Sequence, residues 1–121
     1  MQPNPFVVVI EDVEAIAEIY AEMFEFEGIP VEIIPDGAIA LQRLAMEVPD
    51  LILLDIHLPK VSGMEILAFI RDRSHLKQTK VVVITADALL AQDTKDAADL
   101  TLIKPVSAME IRDLSMKMLI G

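Results

Sequence analysis

The 121-residue chain contains no cysteine, which excludes disulfide staples, thiolate metal sites and thiol nucleophiles. It is poor in glycine, with four, and it has one tyrosine and no tryptophan. It also lacks a long hydrophobic run. The longest pure stretches are as short as Phe6-Val7-Val8-Val9-Ile10 and Val81-Val82-Val83-Ile84, well below the roughly 18 residues of a membrane-spanning helix. Nor is there an excess of positive charge. Ten Lys and Arg face twenty Asp and Glu, a formal charge of −10, which argues against direct binding to nucleic acid or to an anionic membrane. The start, Met1-Gln2-Pro3-Asn4-Pro5, shows no basic patch followed by an apolar core, so no signal peptide is expected. What remains is a 54% apolar, acidic chain, too apolar to be disordered. Its length suits one domain over residues 1–121, expected in the cytoplasm.

The apolar residues alternate between two patterns. Runs rich in β-branched residues at 6–10, 51–54 and 81–84 read as strands buried on both faces. Residues 31–34 and 100–103 are weaker strands, expected towards the sheet edges. Helical spacing fills the gaps. Residues 13–27 gather Ile16, Tyr20, Met23 and Phe24, with Gly28 as a left-handed stop. Residues 38–47 gather Leu41, Leu44 and Ala45, and residues 64–73 gather Ile66, Leu67 and Ile70. Residues 88–98 form a weaker helix. Residues 107–120 open with Ser107 and Glu110 at capping-box spacing and gather Ile111, Leu114 and Met118. Strand and helix thus alternate five times, which predicts an α/β fold: a five-stranded parallel sheet with helices on both faces.

Ligands of such sheets bind beyond the carboxyl ends of the strands. The residues just past those ends are Glu11 and Asp12, then Asp55, then Thr85 and Ala86, then Lys104 and Pro105. Clustered carboxylates repel one another unless they share a cation, and oxygen ligands select a hard one, Mg²⁺ or alternatively Mn²⁺. An ammonium, a hydroxyl and a backbone N–H beside a small Ala86 add donors for a phosphoryl group. A carboxylate in that setting can itself be the nucleophile. Each residue alone reads as an ordinary strand end or loop; the set at successive strand ends favours chemistry.

At these positions the sequence resembles the receiver domain of two-component response regulators. Glu11-Asp12, Asp55, Thr85-Ala86 and Lys104-Pro105 carry the likeness, with Asp55-Ile56-His57-Leu58-Pro59 and Gly63 after them. The resemblance implies the flavodoxin-like strand order 2-1-3-4-5. It implies that Asp55 accepts a phosphoryl group from a histidine kinase or histidine phosphotransfer protein. It also implies that Asp12, Asp55 and the backbone carbonyl of His57 bind Mg²⁺, with Glu11 assisting through water. The His57 imidazole is then a rim residue. Lys104 pairs with a phosphoryl oxygen, and Thr85 donates its hydroxyl to another. His57 and Asp87 flank the path of the attacking water and are expected to set the phosphate's lifetime.

The chain departs from the family's pattern where the family has an aromatic residue three positions before the lysine. Thr101 stands there. The interval from Thr85 to Lys104 is roughly three residues shorter than usual, which predicts a short fourth helix. The output change is therefore expected in residues 87–99, and the partner or homodimer surface on the fourth helix, fifth strand and fifth helix, with Met109 and Met116 as contacts. Three other readings follow from the same residues. A degenerate receiver would be a phosphate-independent interaction module. A Mg²⁺-dependent phosphohydrolase with an Asp nucleophile often carries a second Asp two residues on, where His57 stands. A flavodoxin-like electron carrier is poorly supported by so few aromatics and by the absence of a Ser/Thr/Gly-rich loop after the first strand.

Overall fold

The computed structural model describes residues 5–120; the N-terminal reading of Met1 to Asn4 lies outside the described residues. Strand and helix alternate as β1 (Val7–Ile10), α1 (Glu14–Phe26), β2 (Val31–Ile34), α2 (Gly37–Met46), β3 (Leu51–Asp55), α3 (Gly63–Asp72), β4 (Lys80–Thr85), α4 (Ala88–Thr94), β5 (Leu100–Ile103) and α5 (Ala108–Ile120). A short 3₁₀ turn, Ser74–Leu76, follows α3. All strand pairs are parallel and the order is β2-β1-β3-β4-β5.

Successive strand side chains point to opposite faces, and the three central strands are apolar on both. Val8, Ile10, Ile52, Leu54, Val81 and Val83 pack beneath α2 and α3, against Leu44, Ile66, Leu67 and Ile70. Val7, Val9, Leu51, Leu53, Val82 and Ile84 pack beneath α1 and α5, against Ala17, Tyr20, Phe24 and Ile111. This two-sided burial is why those strands read as continuous hydrophobic runs.

Local signals set the helix ends. Asp36, Ser62 and Asp87 each accept backbone N–H groups of the helix that follows. Ser107 Oγ accepts from Glu110 N. Helix α1 ends as the sequence predicts: Gly28 has φ +78°, its N–H donates to Glu25 O, and Ile29 N donates to Phe24 O. That pair of bonds is a Schellman motif, closed by packing of Ile29 with Phe24 in one core.

Two helix faces differ from the sequence reading. Helix α2 buries Gly37, Ala40 and Leu44, while Ala45 is exposed and Leu41 is half-buried. The reason is close approach: a Cβ on Gly37 would lie 2.7 Å from Val61 O, so the small residues set the rotation of α2. Helix α5 buries Ile111, Ser115 and Leu119, with Leu114 and Met118 at the margin. Helix α4 has seven residues, short as expected.

Candidate functional site

The chain passes from β1 to β2 on one side and then crosses to β3 on the other, so the order switches between β1 and β3. Register aligns Ile10 with Leu54, which sets Glu11 level with Asp55. Ligand oxygens of Glu11, Asp12 and Asp55 all lie within 4.8 Å of one another. Glu11 is 2% exposed and Asp55 9%, whereas Asp12 is open to solvent.

The cluster is electrostatically uncomfortable. Glu11 Oε2 accepts from Val13 N at 3.2 Å, but Oε1 is buried without a hydrogen-bond partner. Burial, and then the neighbouring Asp55 charge, push the Glu11 carboxyl up to about 7, with Lys104 pulling the other way. Oxygen-only donors and mutual repulsion among three close carboxylates are what a small hard cation relieves, so the residues fit a divalent metal.

The other half of the rim is built by β4 and β5. Thr85 pairs with Ile103, which places Lys104 one step beyond, its N–H donating to Thr85 O at 2.8 Å. Thr85 is fully buried, and its Oγ1 accepts from Asp87 N at 3.0 Å. Ala86 is exposed. Asp55 Oδ1 accepts from His57 N at 3.1 Å. The His57 ring is exposed, with Nε2 3.9 Å from Asp87 Oδ2. Gly63 is required by the turn after β3: a Cβ there would lie 2.5 Å from Ile56 Cα and 2.7 Å from Asp55 O.

Several features have no signal in the sequence. Tyr20 packs on the α1 side of the sheet and also lines the inner wall of the acidic site with Glu11 and Asp55. Arg71 of α3 pairs with Asp99 at 2.7 Å and donates to Ala97 O and Thr79 O. Thr101 shares a 2.9 Å hydroxyl contact with Thr94 of α4. Met109 is exposed but lines a groove with Ile19, Met23 and Phe26 of α1, while Met116 packs on the α1–α5 core. The phase of α5 therefore turns both methionines from the surface expected of them; there Leu89 and Ile103 are the exposed apolar side chains.

A switch-point carboxylate cluster beside a buried hydroxyl and a lysine, on a five-stranded parallel sheet, defines a phosphoacceptor domain of the flavodoxin-like fold. The sequence matches the response regulator receiver domain family over residues 7–115, and the chain belongs to that family. It is 33% identical over 110 residues to the phosphate regulon transcriptional regulatory protein PhoB of Rhizobium meliloti, covering 88% of this chain and 48% of that protein. It is 30% identical over 104 residues to the polar-differentiation response regulator DivK of Brucella anthropi, covering 84% of this chain and 85% of that protein. The chain thus spans about half the length of the PhoB relative. Among solved structures it resembles response regulator TrrA of Thermotoga maritima in complex with Mg²⁺-BeF, with a TM-score of 0.84 and 28% identity over 94% of this chain and 98% of that one. Self-catalysed phosphotransfer and dephosphorylation, rather than turnover of a separate substrate, are the activities typical of the family. Among the described residues no helix is long and apolar enough to cross a membrane.

Proposed function

We propose that residues 1–121 act as one receiver unit of a two-component phosphorelay, with Asp55 as the phosphoacceptor and a histidine kinase or histidine phosphotransfer protein as the donor. The observation that carries this reading is the convergence of Glu11, Asp12 and Asp55 within 4.8 Å at the switch point. Asp12, Asp55 and the His57 carbonyl would hold Mg²⁺, with Glu11 assisting; the TrrA relative, solved with Mg²⁺-BeF, supports that choice of ion. Bound there, the cation offsets the carboxylate charge and polarises the phosphoryl oxygens.

The side chains divide the remaining work. The His57 N–H orients the Asp55 carboxylate. An Asp55 oxygen forms a bond to phosphorus as the P–N bond of a phosphohistidine protonated on its other ring nitrogen breaks; the bonding pair returns to the ring, leaving an acyl phosphate on Asp55 and a neutral imidazole on the donor. The Lys104 ammonium takes up charge on the phosphoryl oxygens, and the Ala86 N–H and Thr85 hydroxyl donate to them. Thr85 can do so because its oxygen accepts from Asp87 N while its own proton stays free. A downstream partner or a second copy of the chain reads the result on the α4–β5–α5 face, where Leu89 and Ile103 are exposed.

Incubation with acetyl phosphate and Mg²⁺ tests the reading. One acid-stable, base-labile phosphate per chain is expected, and none when Mg²⁺ is chelated. Continuous hydrolysis of a phosphoester with no phosphorylated protein would overturn it.

A further inference from the structure

We propose that Tyr20 is a positioning residue of the acidic site, whose phenol hydroxyl donates to the inner oxygen of Glu11 when the site holds its cation. This rests on the metal reading above. Tyr20 lies two turns into α1, and helical side chains lean towards the N-terminal end of their helix. For α1 that is the end at the acidic rim. The ring is almost fully buried against Val9, Leu53 and Ile84.

Tyr20 lines a narrow crevice together with Val9, Leu53, Ile84, Glu11 and Asp55. Only three of those side chains are polar, two of them carboxylates. The crevice is too tight for a water molecule, so no solvent can serve the buried Glu11 Oε1, which has no partner. The phenol is the one side-chain donor on that wall, and a neutral one: burial and the charges of Glu11 and Asp55 hold its proton on. With Glu11 engaged at the cation on its outer side, the buried Oε1 needs a donor from within, because a buried polar oxygen left without a partner is costly.

The rival role for Tyr20 is packing alone, and Tyr20→Phe separates the two, since it keeps the ring and removes the hydroxyl. The chain has one tyrosine and no tryptophan, so its ultraviolet emission reports Tyr20 by itself. Mg²⁺ is titrated into wild-type and Tyr20→Phe protein, followed by amide NMR shifts at residues 11–13 and 55–57, with emission recorded for the wild type. Wild-type emission is expected to change with the same midpoint as the amide shifts. Tyr20→Phe is expected to bind Mg²⁺ roughly five- to tenfold more weakly, the size of one net hydrogen bond, with a melting temperature in EDTA close to that of the wild type. Emission that stays flat while the amide shifts saturate would overturn the proposal, as would an affinity within about twofold of wild type, the mark of a packing role. If the wild type shows no saturable Mg²⁺ binding at all, the metal reading itself fails and takes this proposal with it.

Discussion

At the ends of β1 and β3 the fold brings like charges together and leaves one carboxylate oxygen unpartnered, whereas around β4, α4 and β5 its polar groups are tied to neighbours. Thr85 Oγ1 is held by Asp87 N, Thr94 by Ala91 O and Thr101, and Asp99 by Arg71 and the N–H of Val81. The first region stores repulsion that a ligand can relieve. The second is a latched frame that a ligand must unlatch. A ligand shifts a conformational equilibrium only by its differential affinity for the two states, so signalling needs both: a place where binding is favourable and a place where contacts exist to be exchanged.

The largest expected contrast between the halves is chemical. Asp55→Asn should abolish phosphorylation by acetyl phosphate while leaving the fold intact, because the amide keeps the shape but loses the nucleophilic charge. Thr85→Ala should still be phosphorylated, with a weakened conformational response. Mass spectrometry decides; an unchanged phosphate yield from Asp55→Asn would remove the acceptor from this half of the site.

Next in size is the repulsion itself. With its carboxyl raised from 4.5 to about 7, Glu11 keeps a proton in the folded chain that the unfolded chain has already lost. Its contribution therefore makes the metal-free protein less stable as pH rises through that window. Glu11→Gln should flatten this slope and stabilise the metal-free protein near neutral pH by about 1 kcal/mol, or several degrees of melting temperature. Saturating Mg²⁺ should raise the wild-type melting temperature more than that of the variant. Thermal melts at pH 5.5 and 7.5, with EDTA and with Mg²⁺, read all of this. A wild-type melting temperature that rises with pH in EDTA would contradict it.

The two regions were also unequally legible. The carboxylates stand directly after apolar runs, so the sequence places them at strand ends, and parallel register does the rest. Strand bounds of β2 and β5 are likewise readable, because turn residues flank them. The latch is not readable. Arg71 and Asp99 are 28 residues apart, in a helix and a loop with no shared pattern, and Thr94 and Thr101 look like ordinary polar positions. Tyr20 reads as helix-face core, which it is; that it also lines the acidic crevice with Glu11 and Asp55 has no signal in that spacing. Periodicity finds the buried face of α1 but not what lies at the end of a side chain.

The Arg71 clamp gives an effect on stability of the same order but confined to the other half. Arg71→Ala removes a half-buried ion pair and two bonds to backbone carbonyls, for a cost of about 1–2 kcal/mol. The consequence should be local: faster amide exchange at residues 97–99, with exchange in β1 and β3 unchanged. Uniform acceleration across the sheet would mean that Arg71 supports the whole core rather than the latch.

The smallest energy belongs to Thr94 and Thr101, yet it bears on where the switch lies. The Thr94 hydroxyl hydrogen is committed to Ala91 O at 2.9 Å, so Thr101 is the donor in their shared contact. Thr101→Val keeps the shape and strands no donor, since Thr94 still bonds to Ala91 O. The cost should be no more than about 1 kcal/mol. Thr101 has no ring to turn inward and little apolar surface to bury, so the rearrangement on phosphorylation is expected in residues 87–99, through release of this latch. Amide exchange with and without beryllium fluoride as a phosphoryl mimic should show its largest change there in the wild type. In Thr101→Val the same residues should exchange faster before the mimic is added, leaving a smaller difference on addition. If the largest change falls at Thr101 while residues 87–99 stay silent, the latch is not the switch, and β5 moves as a unit despite lacking the aromatic side chain.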